Sequence, residues 1–282
     1  MASMPVDALL ADADWHALLA PLGLAWAILA LAFVALWWRQ LRTQNATSVD
    51  AAWSLGIGAT ALAMAAWGPG STTQRLLAAG LATAWSGRLT LHLLRDRVFG
   101  HRTEDGRYAA MRSYWGTKAP RNFFVFYQVQ ALAAVMFALP FAALAHHREA
   151  SLTAWQWGGL GLAAVAVLGE HLADRQLAAH RRDPQQRGRT CRSGLWRYSR
   201  HPNYFCEWLA WCGVALVAAP AMSWLAALQP ALMFLLVRFV SGVPWTELQA
   251  LKSRPDDYRR YQAETNAFVP WWPRRPLHAP HP

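Results

Sequence analysis

The stretch SRHPNYFCEWLAWCG, residues 199–213, opens on an Arg-His-Pro-Asn cluster and passes within a few residues into an apolar run, with Glu207 standing inside the passage. Ionisable groups are costly at the mouth of an apolar helix, so the surroundings decide what the stretch means. Working outward from it, apolar stretches recur at roughly 17–38, 51–67, 77–94, 123–145, 152–173, 205–219 and 222–240. Most approach the about 20 residues needed to cross hydrocarbon. Backbone groups in lipid must be paired within their own segment, which leaves helices for runs of this length. The predicted fold is therefore all-α: a polytopic integral membrane protein, with a seven-transmembrane-helix bundle forming one domain over 1–282. Residues 241–273 form a C-terminal segment packing on that bundle.

Composition agrees. Apolar residues make up 55% of the chain and charged residues 15%, and there are 17 Trp. A water-facing surface carries more charge than that. The formal net charge of +11 raises nucleic acid as a partner, but the distribution of the charge argues otherwise. In the seven-span arrangement 24 of the 27 Lys and Arg fall on one side, leaving Arg75 and Arg148 opposite and Arg88 within the third span. The positive-inside rule then puts those loops and the C-terminus in the cytoplasm. A basic face of this kind suits anionic lipid headgroups, so the expected partners are membrane lipids and no nucleic acid. The chain is read as a monomer. Trp37, Trp38, Trp67, Trp155 and Trp271 stand at span ends, as interfacial aromatics do.

The first residues, MASMPVDALLADADWHALLA, lack a basic n-region and read as leading into a retained helix. The end of the chain, RRPLHAPHP, reads as flexible. Cys191, Cys206 and Cys212 match neither a disulfide framework nor a zinc pattern. No HExxH occurs, and no metal site is expected. A Ser or Cys nucleophile lacks an evident base. No internal repeat is visible.

Several ionisable groups interrupt the apolar runs. Asp50 opens the second, either as a first-turn acid favoured by the helix dipole or as an acid facing a cavity. Arg88, His92 and Arg95 share one helix face at the end of the third. Glu170 and Asp174 share a face at the end of the fifth, with Arg181 and Arg182 following. The loops HRTEDGRYAAMRSYWG and DPQQRGRTCRSGLWRYSRHPNYF mix Arg, Gly and aromatics. Arg offers a planar fork to phosphate, and Gly permits close backbone approach. No Gly-rich dinucleotide fingerprint or P-loop is present.

GLWRYSRHPNYFCEWLAWCG (194–213), NATSVDAAWSLG (45–56), GRLTLHLLRDR (87–97), EDGRY (104–108), ADRQL (173–177) and DDYRRYQAETNAFVPWWP (256–273) together resemble a bacterial membrane family related to steroid 5-alpha-reductases, long catalogued as a domain of unknown function. The resemblance covers most of the chain from Asn45 onward. It implies a seven-helix bundle in the bacterial inner membrane that binds NADPH from the cytoplasm. The implied reaction reduces the conjugated C=C bond of an apolar enone such as a 3-oxo-4-ene steroid. It associates Asn203 and Glu207 with the nicotinamide end and sets Asp174 among basic residues such as Arg181. His92 falls where animal enzymes carry a carbonyl-polarising Tyr, and Asp50 matches their Gln-Glu substrate pair only loosely.

The roles then read as follows. Asn203 and Glu207, four apart, present amide and acid together to a carboxamide. Arg107, Arg189, Arg197 and Arg200 are candidates for the phosphates, with Arg88 and Arg95 lining the site. Tyr198 and Tyr204 pack on rings and His201 contacts the cofactor, while Glu247 and Tyr261 either cover the cofactor or belong to an amphipathic interfacial helix rich in Arg, Tyr and Trp. His92, assisted by Asp50 or Glu104, polarises the carbonyl. The same penultimate-helix block is shared more distantly with isoprenylcysteine carboxyl methyltransferases, so an S-adenosylmethionine-dependent methyltransferase acting on a lipidic substrate is the rival reading. A non-enzymatic lipid-binding membrane protein is the third.

Overall fold

The computed structural model describes residues 15–100 and 103–274. The start of the chain and most of its expected flexible end, 275–282, lie outside the described residues. Among those described, helices and turns make up the fold and no strand occurs. In chain order the helices are α1 (Trp15–Thr43), α2 (Ser48–Trp67), α3 (Thr72–Ala82), α4 (Arg88–Leu93), α5 (Gly106–Trp115), α6 (Ala119–His146), α7 (Ala154–Arg182), α8 (Pro202–Met222), α9 (Leu228–Leu235), α10 (Val243–Ser253) and α11 (Pro255–Glu264). Each of the seven apolar stretches is helical.

Among the described residues, four helical stretches are long and apolar enough to cross a membrane: Ala17–Thr43, Ser48–Trp67, Gly106–His146 and Pro202–Ser253. The expected count of seven is thus met only in part, and the physical reasons are plain. The third stretch carries Arg88, His92 and Arg95 and is broken by π-helical turns at Thr83–Gly87 and Leu94–Val98. The fifth runs on to Arg182, through Glu170, His171, Asp174 and Arg175. The sixth and seventh continue as one apolar length. The second and sixth, short in the sequence reading, are in fact 20 and 21 residues long.

The chain divides into two compact units. The first comprises the residues up to Thr153 with Ala218–Ser223, and the second Ala154–Val217 with the chain from Trp224 onward. In the first unit, Phe33, Val49, Phe123, Tyr127 and Ala131 form a buried cluster with Tyr108. A second cluster joins Leu18, Leu22, Met64 and Val135. The opposite face of α1 leaves Leu19, Leu24, Ile28 and Leu31 exposed, as a face turned to lipid would be. Ser54, Ser86 and Thr90 satisfy one another between α2 and the α3–α4 segment, with Ser54 Oγ 2.9 Å from Thr90 Oγ1 and Ser86 Oγ donating to the Ser54 carbonyl at 2.8 Å.

One helix ending recurs. LLRDRVFG (93–100) and LLVRFVSG (235–242) both finish in a π turn, with Phe99 N donating to Leu94 O and Ser241 N to Leu236 O, each at 2.8 Å. Both then reach a glycine. A Cβ on Gly100 would lie 2.8 Å from Arg95 O, and one on Gly242 would lie 2.7 Å from Val237 O. The likeness is local and rests on backbone geometry, which is why the sequence showed no repeat.

In the second unit α7 and α8 approach through Gly159 and Gly213. A Cβ on Gly159 would stand 2.6 Å from Gly213 O and 2.8 Å from Val217 N. Backbone cannot yield as a flexible side chain does. Gly159→Leu is therefore expected to destabilise the protein by about 1–3 kcal/mol, while Gly161→Leu, with nothing within 4 Å of its Cβ, leaves the melting midpoint in detergent unchanged.

Candidate functional site

Each unit gathers ionisable groups near the head of an apolar helix, α2 in the first and α8 in the second. In the first unit α2 begins at Ser48 and puts Asp50 in its opening turn. Asp105 caps α5 by accepting from Arg107 N at 2.9 Å. That cap swings Arg107 and Tyr108 onto Asp50. Arg107 Nη2 lies 2.6 Å from Asp50 Oδ2 and Arg97 Nη1 lies 3.4 Å from the same oxygen, while the Tyr108 hydroxyl donates to Oδ1. The acid at the head of α2 is therefore a paired first-turn carboxylate. Glu104 is engaged separately. Arg112 binds it bidentately at 2.8 and 3.1 Å, Ala46 N donates to it at 2.8 Å, and Arg112 also reaches Gln40 Oε1 at 3.0 Å.

These pairings correct two expectations. Neither Asp50 nor Glu104 assists His92. Among the described residues His92 makes no hydrogen bond, because α4 turns Thr90 and Leu93 inward and leaves His92 exposed with Leu91. Arg95 is exposed and Arg88 half-buried on that side. Arg107 is held by two carboxylates, so it is no free phosphate ligand. Tyr108 was missed as a site residue. The signal was present in EDGRY, where a cap, a cation and a phenol stand in succession.

The second unit builds its cluster where α7 ends and α8 begins. Pro202 opens α8 with a fixed φ and no lost donor. Asn203 and Glu207 then fall on one face, and Glu170 and Asp174 on one face of α7. Asn203 Nδ2 donates to Asp174 Oδ1 at 3.2 Å, and its Oδ1 accepts from Tyr204 N at 3.0 Å. Glu207, 9% exposed, accepts from Trp211 Nε1 at 3.2 Å. The two helices are close here: a Cβ on Gly169 of α7 would stand 2.9 Å from Cys206 Sγ of α8. The structure thus brings Asn203 to Asp174, while the partner shown for Glu207 is Trp211, one turn along its own helix.

Beside it, Arg200 and Glu247 form a second knot. Arg200 Nε meets Glu247 Oε1 at 2.7 Å, and Nη1 reaches the carbonyls of Thr265 at 2.6 Å and Gln262 at 3.1 Å. His201 is buried, with Nε2 3.3 Å from Glu247 Oε1 and Nδ1 3.5 Å from Thr246 Oγ1. Its ring lies parallel to Tyr204 at 5.5 Å. Burial pushes the His201 imidazole below its usual value, against the pull of Glu247. The Tyr261 hydroxyl donates to the carbonyls of Trp196 and Ser199. His201, Glu247 and Tyr261 therefore bind the C-terminal helices to the head of α8, where the sequence reading had them touching a cofactor. Arg192, which was not singled out, does the same through Asp257 and Glu264 at 3.1 Å each. Tyr198 is half-buried, while Arg181, Arg189 and Arg197 are exposed along the segment leading into α8.

Asp50→Asn is expected to lower thermal stability by about 1–3 kcal/mol, because it strips charge from a partly buried acceptor of two guanidinium groups and a phenol. His92→Ala changes it by less than about 0.5 kcal/mol. A separate outcome concerns acid. Burial raises the Asp105 carboxyl, but Arg107 and Arg97 outweigh it and leave it below the ordinary 3.8. A depressed carboxylate stabilises the fold above its unfolded value and loses that contribution as pH falls through the folded one. Asp105→Asn should flatten the pH dependence of amide exchange at the start of α5 below about pH 4.

The sequence comparisons can be set against this geometry. The family described as "Protein of unknown function (DUF1295)" matches residues 36–265, which span both clusters. The chain is similar to "Uncharacterized protein C594.04c" of Schizosaccharomyces pombe, 28% identical over 263 residues, covering 83% of this chain and 75% of that one. No solved structure matches. With the family matching from within α1 to just past α11, the chain belongs to the DUF1295 family.

Proposed function

We propose that this protein is an NADPH-dependent membrane reductase of the steroid 5-alpha-reductase type, acting on the conjugated C=C bond of a 3-oxo-4-ene steroid or a similarly apolar enone. The observation that carries the reading is the Asp174–Asn203 hydrogen bond at 3.2 Å, at the polar end of two otherwise apolar helices. An amide and carboxylates on facing helix ends fit a carboxamide, which needs one acceptor and one donor. Exposed Arg181, at the end of α7, and Arg189, on the segment that follows, fit phosphates. The second unit therefore has a donor set suited to a dinucleotide.

In this reading Asn203 and Glu207 hold the nicotinamide amide, and Asp174 fixes the Asn203 side chain. His201, Glu247 and Arg200 position the head of α8 without touching cofactor. When bound, NADPH supplies the hydride. The protein's own contribution is to orient the ring, exclude water and place a donor at the carbonyl oxygen, where charge grows. We further propose that all seven helical stretches cross a bacterial inner membrane, with the basic loops and the C-terminus in the cytoplasm.

The test is a titration of the detergent-purified protein with NADPH, NADH and S-adenosylmethionine. Saturable NADPH binding is expected, weakened about tenfold or more by Asn203→Ala and by Asp174→Ala, a loss of about 1.4 kcal/mol or more. Loss of enone absorbance with a 3-oxo-4-ene steroid should follow. Preferential binding of S-adenosylmethionine would overturn the reading in favour of a methyltransferase.

A further inference from the structure

The segment after α11 has a feature that the proposed reductase chemistry does not use. Phe268, 4% exposed, inserts among rings of two apolar helices, with centroids 5.7 Å from Phe205, 6.0 Å from Trp208 and 5.4 Å from Phe234. Phe205 and Trp208 lie in the first two turns of α8, so Phe268 is pinned just inside one end of that helix. The backbone on either side is stapled to the chain entering α8. Arg200 N donates to Asn266 O at 2.9 Å, Ser199 Oγ to Phe268 O at 2.7 Å, and Trp271 N to Tyr198 O at 2.9 Å. Pro270 and Pro273 carry no N–H and so leave no donor to satisfy.

A segment held this firmly nevertheless turns its largest apolar groups outward. Val269, Trp271 and Trp272 are 53%, 66% and 71% exposed. Trp272 packs T-shaped with Tyr198, at 5.5 Å between centroids. Arg197 and Arg274 flank these rings, exposed and without an ion pair among the described residues. Indole rings beside unpaired guanidinium groups, level with the first turns of an apolar helix, match the chemistry of a bilayer's headgroup layer. Three side chains cannot supply the about 800 Å² per partner that a stable protein interface buries, so a second copy of the chain fits poorly.

We propose that residues 268–274 are a membrane-interface strap. Val269, Trp271 and Trp272 seat at the boundary between headgroups and acyl chains, and Arg197 and Arg274 select anionic phospholipid. The strap thereby fixes the depth of the head of α8 in the membrane. This holds whether or not the protein is a reductase.

A photoreactive benzoylphenylalanine placed at Trp272 tests it, with the same residue at Asp256, 91% exposed by its side chain, as the control. The full chain is reconstituted in vesicles of phosphatidylcholine with and without phosphatidylglycerol, irradiated and read by mass spectrometry. Position 272 should form phospholipid adducts at least about fivefold more than position 256, with phosphatidylglycerol over-represented relative to its share of the bilayer. Arg197→Gln with Arg274→Gln should abolish that over-representation while leaving total lipid adducts in place. Equal lipid yields at 272 and 256, or protein–protein adducts at 272 in place of lipid, would overturn the proposal. So would an over-representation indifferent to the two arginines.

Discussion

An ionisable side chain carried on an apolar helix must find its counter-charge within the protein, and this constraint shapes both units. Lipid offers no hydrogen bonds, and a buried unpaired charge costs several kcal/mol. The head of α2 meets the constraint with Asp50, held by Arg107, Arg97 and Tyr108. The head of α8 meets it with Arg200, held by Glu247 and two backbone carbonyls. The signs are opposite and the device is the same: a short helix beyond a π-turned end supplies the partner. α5 supplies Arg107 after Leu94–Val98, and α10 supplies Glu247 after Leu236–Val240. Polar groups therefore collect at helix ends, and chemistry is possible there.

Much of this was legible in the sequence. The length of the apolar runs and their Trp-marked ends located seven helical stretches, because burial of backbone in lipid permits little else, while the more polar α5, α10 and α11 lie outside those runs. Asn203 and Glu207, four apart, and Asp174 with Glu170, four apart, announced faces whose meeting the structure realises. The number of membrane crossings was less legible. Charges in the third and fifth stretches offset their apolar length, and hydropathy alone cannot weigh a snorkelling arginine against a paired one. The partners of the charges were the least legible part. Helical spacing placed Arg88, His92 and Arg95 on one stripe correctly, but periodicity does not say which stripe faces inward. Thr90 and Leu93 face inward, and His92 stays outside. Glu247 and Tyr261 read as cofactor contacts because a tail rich in Arg and Tyr suits a ligand and suits internal cross-bracing equally well.

The contrast between the knots bears on function. Groups that bind one another tightly, such as Arg200 with Glu247 and Arg112 with Glu104, hold the scaffold and have little capacity left for a ligand. The Asp174–Asn203 pair is different: it is longer and half-buried, and exposed arginines, Arg181 and Arg189, follow Asp174 in the chain. A binding site needs donors and acceptors organised by a rigid surround. The reductase reading therefore rests on a small part of the second unit, held in place by the much larger web around Arg200, Tyr261 and Ser199.

The most direct measurement is an electron cryo-microscopy map of the protein in lipid nanodiscs with NADPH. The account predicts dinucleotide density whose nicotinamide amide lies within hydrogen-bonding distance of Asn203 and Glu207, with its phosphates toward Arg181 and Arg189. Density elsewhere, or an Asn203 side chain turned into lipid, would contradict it.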